Sequence, residues 1–224
     1  MAAKFETDGL NLTRGLLNYI LDTTVQESPT QIQIREETAA TLSNARMMIS
    51  PVQGSVVRFL ARMLRPSRVV EVGVFTGYSA TWLADALDEG GTLVACELNQ
   101  EYLDKARAYW AQAGLTQIRG ILGPGQDGLQ TLLDEGWAGT VDVMFVDADK
   151  TGYDTYYTMG CELLRPGGLM LFDNTLWGGS VADPSDTEPS TEALRAISRR
   201  AAADDRVDAA LLSVGDGLLA VLKK

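Results

Sequence analysis

The chain has 224 residues, 30 acidic against 19 basic side chains, no histidine and a formal net charge of -11. Such a field repels nucleic-acid phosphates and anionic membrane faces. The lack of imidazole excludes a Ser-His-Asp or Cys-His apparatus and any histidine-ligated zinc, so a metal here would be held by oxygen.

Apolar residues Leu10, Leu12, Leu16, Leu17, Ile20 and Leu21 recur at helical spacing over Asp8 to Asp22, and residues 24–29 break the pattern. A second helix is expected over Ile32 to Ala45. These helices make an N-terminal arm, residues 1–46, that either caps a ligand site or supports a subunit contact. Ser50 and Pro51 read as N-cap and first residue of a third helix, Val52 to Leu64. No apolar run reaches membrane-spanning length and residues 1–8 carry no leader pattern, so a cytoplasmic protein with no membrane partner is expected.

The stretch Val69-Val70-Glu71-Val72-Gly73-Val74-Phe75-Thr76-Gly77-Tyr78-Ser79-Ala80 is the centre of the chain. Val69 to Val72 carry branched residues toward both faces, as a parallel strand covered on each side requires. Gly73 and Gly77 open a turn into a helix near Tyr78, whose free N–H groups and close backbone suit a nucleotide-type ligand. A dinucleotide fingerprint needs a second glycine where Phe75 stands. An acid, Glu71, followed by two glycines suits instead a ligand with a positive group and no phosphates, such as S-adenosylmethionine. Leu93 to Glu97 reads as the next buried strand, with Glu97 placed to accept from ribose hydroxyls.

Beyond it the spacing predicts a helix from Asn99 to Ala113, a strand over Ile118 to Leu122, and a loop Gly123 to Asp127 before a helix ending near Glu135. Strand Val141 to Asp147 and helix Lys150 to Leu164 follow. A tight turn Arg165 to Gly168 then leads into strand Leu169 to Asp173. A polar loop, Gly178 to Pro189, precedes a helix from Thr191 to Ala203. Strands Val207 to Val214 and Leu218 to Lys223 close the chain around Gly215-Asp216-Gly217, a hairpin turn by composition. The alternation implies one α/β domain over residues 47–224: a mostly parallel seven-stranded sheet, helices on both faces and a C-terminal antiparallel hairpin. Cys96 and Cys161 fall in a strand and a helix and read as small apolar residues.

Glu97, Asp147 and Asp173 end strands, and the carboxyl ends of parallel strands share one edge. Asp147, Asp173 and Asn174 would converge there as two carboxylates and an amide oxygen, a hard-cation set for Mg²⁺, with Ca²⁺ or Mn²⁺ as alternatives. Lys150 follows Asp147 by three residues. Beside a divalent cation its ammonium form is disfavoured by like charge, which suits it to act as a base.

Glu71-x-Gly73-x-Phe75-Thr76-Gly77-Tyr78-Ser79, Phe145-Val146-Asp147-Ala148-Asp149-Lys150 and Asp173-Asn174-x-Leu176-Trp177-x-Gly179 occur in order. Together they resemble the cation-dependent O-methyltransferases of the catechol and caffeoyl-CoA type, over about residues 47–224. The resemblance implies a Rossmann-like methyltransferase fold, S-adenosylmethionine as cofactor, a small phenolic substrate and a homodimer. Carried over by position, it implies metal ligands Asp147, Asp173 and Asn174. Lys150 would be the base, with Asp147 and Asn174 completing the catalytic set. Cofactor contacts would come from Met47, Ile49, Glu71, Gly73, Phe75, Thr76, Gly77, Ser79, Glu97, Leu98, Gly125, Gln126, Asp147, Asp149 and Tyr156. Three positions depart from the family pattern: Ile49 replaces threonine, Glu97 replaces aspartate, and Gly125 replaces alanine in a loop that Gln126-Asp127 would lengthen. Trp177, Met47 and Met48 are expected as apolar walls, and core packing is expected for at least one of Tyr153, Tyr156 and Tyr157. A nicotinamide dehydrogenase is opposed by Phe75. A non-catalytic cofactor-binding module is opposed by the intact set Asp147, Lys150, Asp173 and Asn174.

Overall fold

The computed structural model describes residues 12–224. The first helix, α1 (Arg14–Thr24), is capped by Thr13, and the expected helical positions before residue 12 lie outside the described residues. Helix α2 (Pro29–Thr41) begins three residues before the expected Ile32 and stops four before Ala45. Its start is a capping box, in which Ser28 accepts from Gln31 and the Gln31 side chain answers to Ser28. Pro29 occupies the first turn, so the residues read as a break are a start signal. A 3₁₀ turn, Ala45–Met47, then swings the chain into α3 (Pro51–Met63), capped by Ser50 as expected.

The alternating part follows as β1 (Arg68–Val72), α4 (Tyr78–Ala84), β2 (Thr92–Glu97), α5 (Gln100–Gln112), β3 (Ile118–Leu122), α6 (Gly125–Asp134), β4 (Val141–Val146), α7 (Tyr153–Leu163), β5 (Leu164–Phe172), α8 (Pro189–Ala203), β6 (Val207–Leu212) and β7 (Leu218–Lys223). One sheet runs in the order β3-β2-β1-β4-β5-β7-β6, parallel except for β7, which pairs antiparallel with both neighbours. The order reverses between β1 and β4, and that reversal opens a crevice at the carboxyl edge. Seven strands, the closing hairpin and helices on both faces agree with the sequence.

Side-chain alternation divides the core in two. Val69, Leu93, Ala95, Val143, Phe145 and Leu171 face Val57, Trp82, Leu83 and Leu103. Val70, Val94, Met144, Val146, Met170 and Phe172 face Leu129, Tyr157, Leu163 and Ile197. Each such apolar side chain contributes about 1.5–3 kcal/mol of burial. Helix α2 lies on α4: Ile34 is buried, Gln31 Nε2 donates to Asp85, and the Thr38 and Thr76 hydroxyls are bonded at 2.9 Å.

Three boundaries differ from expectation for local reasons. Lys150–Gly152 forms a 3₁₀ turn ahead of α7 rather than its first turn. Arg165 to Gly168 does not interrupt β5: Leu164 already pairs with Val141, and a register shift before Val143, with Gly167 at φ +74°, absorbs the irregularity. Strand β6 stops at Leu212 because the turn bond from Gly217 N–H to Val214 O has begun. Among the described residues no helix is long and apolar enough to cross a membrane.

At the opposite edge of the sheet, buried Asp142 accepts from the Ser67 and Arg68 N–H groups at 2.8 and 2.9 Å and from Arg165 Nε at 2.6 Å. Burial opposes its charge, but the Arg165 bond and the two N–H groups win and hold the carboxyl below its ordinary value. Asp142→Ala is expected to destabilise the protein by about 3 kcal/mol at pH 7, measured by urea unfolding. A depressed native pKa stabilises above the unfolded value and ceases to do so as pH falls through the native one. The gap between wild type and variant should therefore narrow below about pH 4, and a gap constant with pH would contradict the role.

Candidate active site

A cavity of about 950 Å³ opens at the carboxyl edge beside the reversal point. That is room for a nucleoside-sized ligand and a small second molecule. Its floor is the turn after β1. Gly73 takes φ +87°, and a Cβ there would stand 2.2 Å from Asp147 O, so glycine is required by the approach of the β4 end. Phe75 also has positive φ, +52°. The left-handed backbone that a fingerprint glycine would supply is kept, at a cost of about 1–2 kcal/mol. The Phe75 ring packs edge-on against Tyr102 at 4.7 Å.

Glu71 does not line the cavity; it lies fully buried, and among the described residues neither carboxylate oxygen has a hydrogen-bond partner. Burial, together with Asp147 and Glu97 nearby, pushes its carboxyl up to about 8. A positive ligand group above it would favour the ionised form. Gly77 also stays outside the lining. It caps α4 at φ +88°, and a Cβ there would meet Ala106 and the Trp110 ring, so glycine is required there by helix packing. Glu97 lines the cavity, with Oε2 accepting from the Val74 and Phe75 N–H groups at 2.9 and 2.8 Å and Oε1 from Asn99 N–H at 2.9 Å. Three backbone donors orient it and leave acceptor capacity toward the cavity.

Met47, Ile49, Gly73, Phe75, Thr76, Ser79, Leu98, Gly125, Gln126, Asp147, Asp149 and Tyr156 all line the cavity. Tyr156 donates to Asp149 Oδ1 at 2.6 Å. The Gly125 loop is not lengthened. Helix α6 starts at Gly125 and includes Gln126 and Asp127, and a Cβ on Gly125 would stand 2.4 Å from Val72 Cγ1. Tyr102, Arg46, Cys96 and Asp216 also line the cavity and escaped the sequence reading. Tyr102 sits in the first turn of α5, its hydroxyl accepting from Asn44 at 2.8 Å; only its spacing after Glu97 could have marked it.

At the other end stand Asp147, Lys150, Asn174 and Trp177. Lys150 Nζ donates to Asp147 Oδ1 at 2.9 Å and to Tyr153 OH at 2.8 Å. Tyr153 OH in turn donates to Asp173 O at 2.9 Å. Tyr157, by contrast, packs against Phe172 and bonds Asp204, which is the expected core role. Asp173 is buried behind the lining and accepts at Oδ1 from Asn174 N–H at 2.6 Å. Burial and the Asp147 carboxylate push Asp173 up. Asn174 has φ +58°, a conformation asparagine tolerates. Among the described residues no three His, Cys, Asp or Glu side chains gather into a metal-holding group. The donors here are two carboxylates and an amide, which suits a hard cation with positions left for water or substrate.

The family model described as O-methyltransferase matches residues 21–224. The probable caffeoyl-CoA O-methyltransferase 2 of Dictyostelium discoideum is 37% identical over 210 residues, 93% of this chain and 91% of that protein. Two crystal structures superpose with TM-score 0.84 at 29% identity. One is an O-methyltransferase from Bacillus cereus in complex with SAH, covering 92% of this chain and 96% of that one. The other is TomG from Streptomyces achromogenes, involved in tomaymycin synthesis and in complex with SAM, covering 92% and 95%. With the family match over nearly the whole chain and the strand-end acids gathered around one cavity, the protein belongs to the O-methyltransferase family, class I S-adenosylmethionine-dependent enzymes.

Proposed function

We propose that this enzyme moves the methyl group of S-adenosylmethionine to one hydroxyl of a catechol-like diphenol, with a divalent cation, Mg²⁺ first, on Asp147, Asp173 and Asn174. The reading is carried by the placement of Lys150, bonded to Asp147 and Tyr153 at the cavity end that Asn174 and Trp177 line. It is supported by the unpartnered Glu71 carboxylate, which fits a positive cofactor, and by the mutual repulsion of Asp147 and Asp173, which a cation would relieve. The similarity to a caffeoyl-CoA enzyme supports a phenolic acceptor.

A bound cofactor would supply a sulfonium methyl, and a cation held by Asp147, Asp173 and Asn174 would stabilise the acceptor as its phenolate. The residues do the rest. Lys150 Nζ donates to Asp147 and Tyr153, which hold it at the cavity where it would receive the acceptor's hydroxyl proton as general base. Glu97, with its three backbone bonds, fixes the ribose end, and the Glu71 carboxylate faces the cationic end. Transfer from a sulfonium to a phenolate would cancel charge, and water would favour the separated ions. Trp177, Met47 and Met48 line the cavity and exclude it.

Methyl transfer from labelled S-adenosylmethionine to catechol, caffeate and caffeoyl-CoA should require Mg²⁺ and stop with EDTA. Lys150→Met, matched in length, should lower kcat by about 10²–10⁴ while S-adenosylhomocysteine still binds. Undiminished turnover in EDTA, or in the variant, would refute the reading. Separately, Glu71→Gln should weaken S-adenosylmethionine about tenfold or more by calorimetry, because a negative charge near the positive ligand group is replaced by a neutral amide. Affinity equal to wild type would remove Glu71 from the cofactor site.

A further inference from the structure

Gln53 lies in the first turn of α3, its N–H bonded to Ser50 Oγ at 3.2 Å, and its side chain is buried with 4% exposure. The side chain leaves its helix and reaches the end of β5, where Nε2 donates to Asp173 Oδ1 at 2.5 Å. The β6–β7 turn closes on its other side: Gly215 has φ +59°, and a Cβ there would stand 2.5 Å from Gln53 Oε1. With Asn174 N–H on the same oxygen at 2.6 Å, Asp173 Oδ1 holds two donors. Oδ2 has no donor among the described residues.

We propose that Gln53 is a positioning residue for the cation, an inference that rests on the metal reading above. It locks the Asp173 carboxylate by one oxygen and leaves the other for the metal. An amide suits this task because it fixes the carboxylate without carrying a charge that competes with the cation. A lysine or arginine in its place would neutralise Asp173. Gln53 also shares a tight segment with Met47, Met48 and Ile49, so the cofactor wall and the metal ligand are set by one piece of chain.

The test is Mn²⁺ binding to the full chain, by paramagnetic resonance or calorimetry, alongside S-adenosylhomocysteine binding without metal. Gln53→Met keeps the length and removes the donor. It is expected to weaken Mn²⁺ by about 10–100-fold while S-adenosylhomocysteine stays within about twofold of wild type. Gly215→Ala leaves the proposed ligands and the Gln53 side chain chemically unchanged but crowds Gln53 Oε1, and should weaken Mn²⁺ in the same direction; it decides the matter if the Met variant does not fold. Mn²⁺ affinity within about threefold of wild type overturns the proposal, as does an equal loss for both ligands, which would mean general loosening. If wild type shows no Mn²⁺ binding that Asp173→Ala abolishes, the metal reading itself fails and this inference with it, a result visible before any Gln53 variant is made.

Discussion

The ends of β1 and β4 meet backbone to backbone, and the site is built on that contact. Asp147 N–H is bonded to Val72 O at 2.8 Å, and no side chain fits at Gly73 because Asp147 O is already there. This approach exists because β1 and β4 are neighbours at the point where strand order reverses. Through it the turn after β1 and the loop that carries Asp147, Asp149 and Lys150 share one wall of the cavity. A side chain at Gly73 would part the two, and with them the two halves of the proposed reaction.

The same geometry crowds negative charge. Glu71, Glu97, Asp147 and Asp173 come from four adjacent strands whose carboxyl ends share the edge. In a buried setting such groups are tolerable only when hydrogen-bonded or met by positive charge. Glu97 is satisfied by backbone N–H groups and Asp147 by Lys150, whereas Glu71 has no donor among the described residues and Asp173 is pushed up by burial and by the Asp147 carboxylate. The imbalance leaves uncompensated negative charge at the cavity, the electrostatic basis of the proposal that it receives positive ligands. Positive φ at Phe75, Asn174 and Trp177 marks the same rim, where backbone strain is held by surrounding structure.

Most of the fold was legible because its signals are local. Branched residues at Val69–Val72 and Val141–Val146, capped helix starts such as Ser50-Pro51, and the Gly215–Gly217 turn each state an element without reference to the rest. Misreadings came where a local signal was weak or ambiguous. Ser28-Pro29 serves equally as break or cap, and Arg165-Pro166-Gly167-Gly168 has turn chemistry but is drawn into β5 by pairing with β4.

Within the site, sequence alone determined the chemical types: acids at strand ends, a lysine three residues after one of them, glycines in the turn after β1, and no histidine anywhere. Spacing along one chain is enough for these, since a strand end and its following turn are a few residues apart. Tertiary structure decided who meets whom. It packed Gly77 against Trp110, placed Glu71 behind the cavity lining, and brought Gln53 to Asp173 across 120 positions and Gly215 to Gln53. Such pairings depend on how elements distant in sequence pack, and a polar side chain like Gln53 looks the same in sequence whether it points to water or to a buried carboxylate.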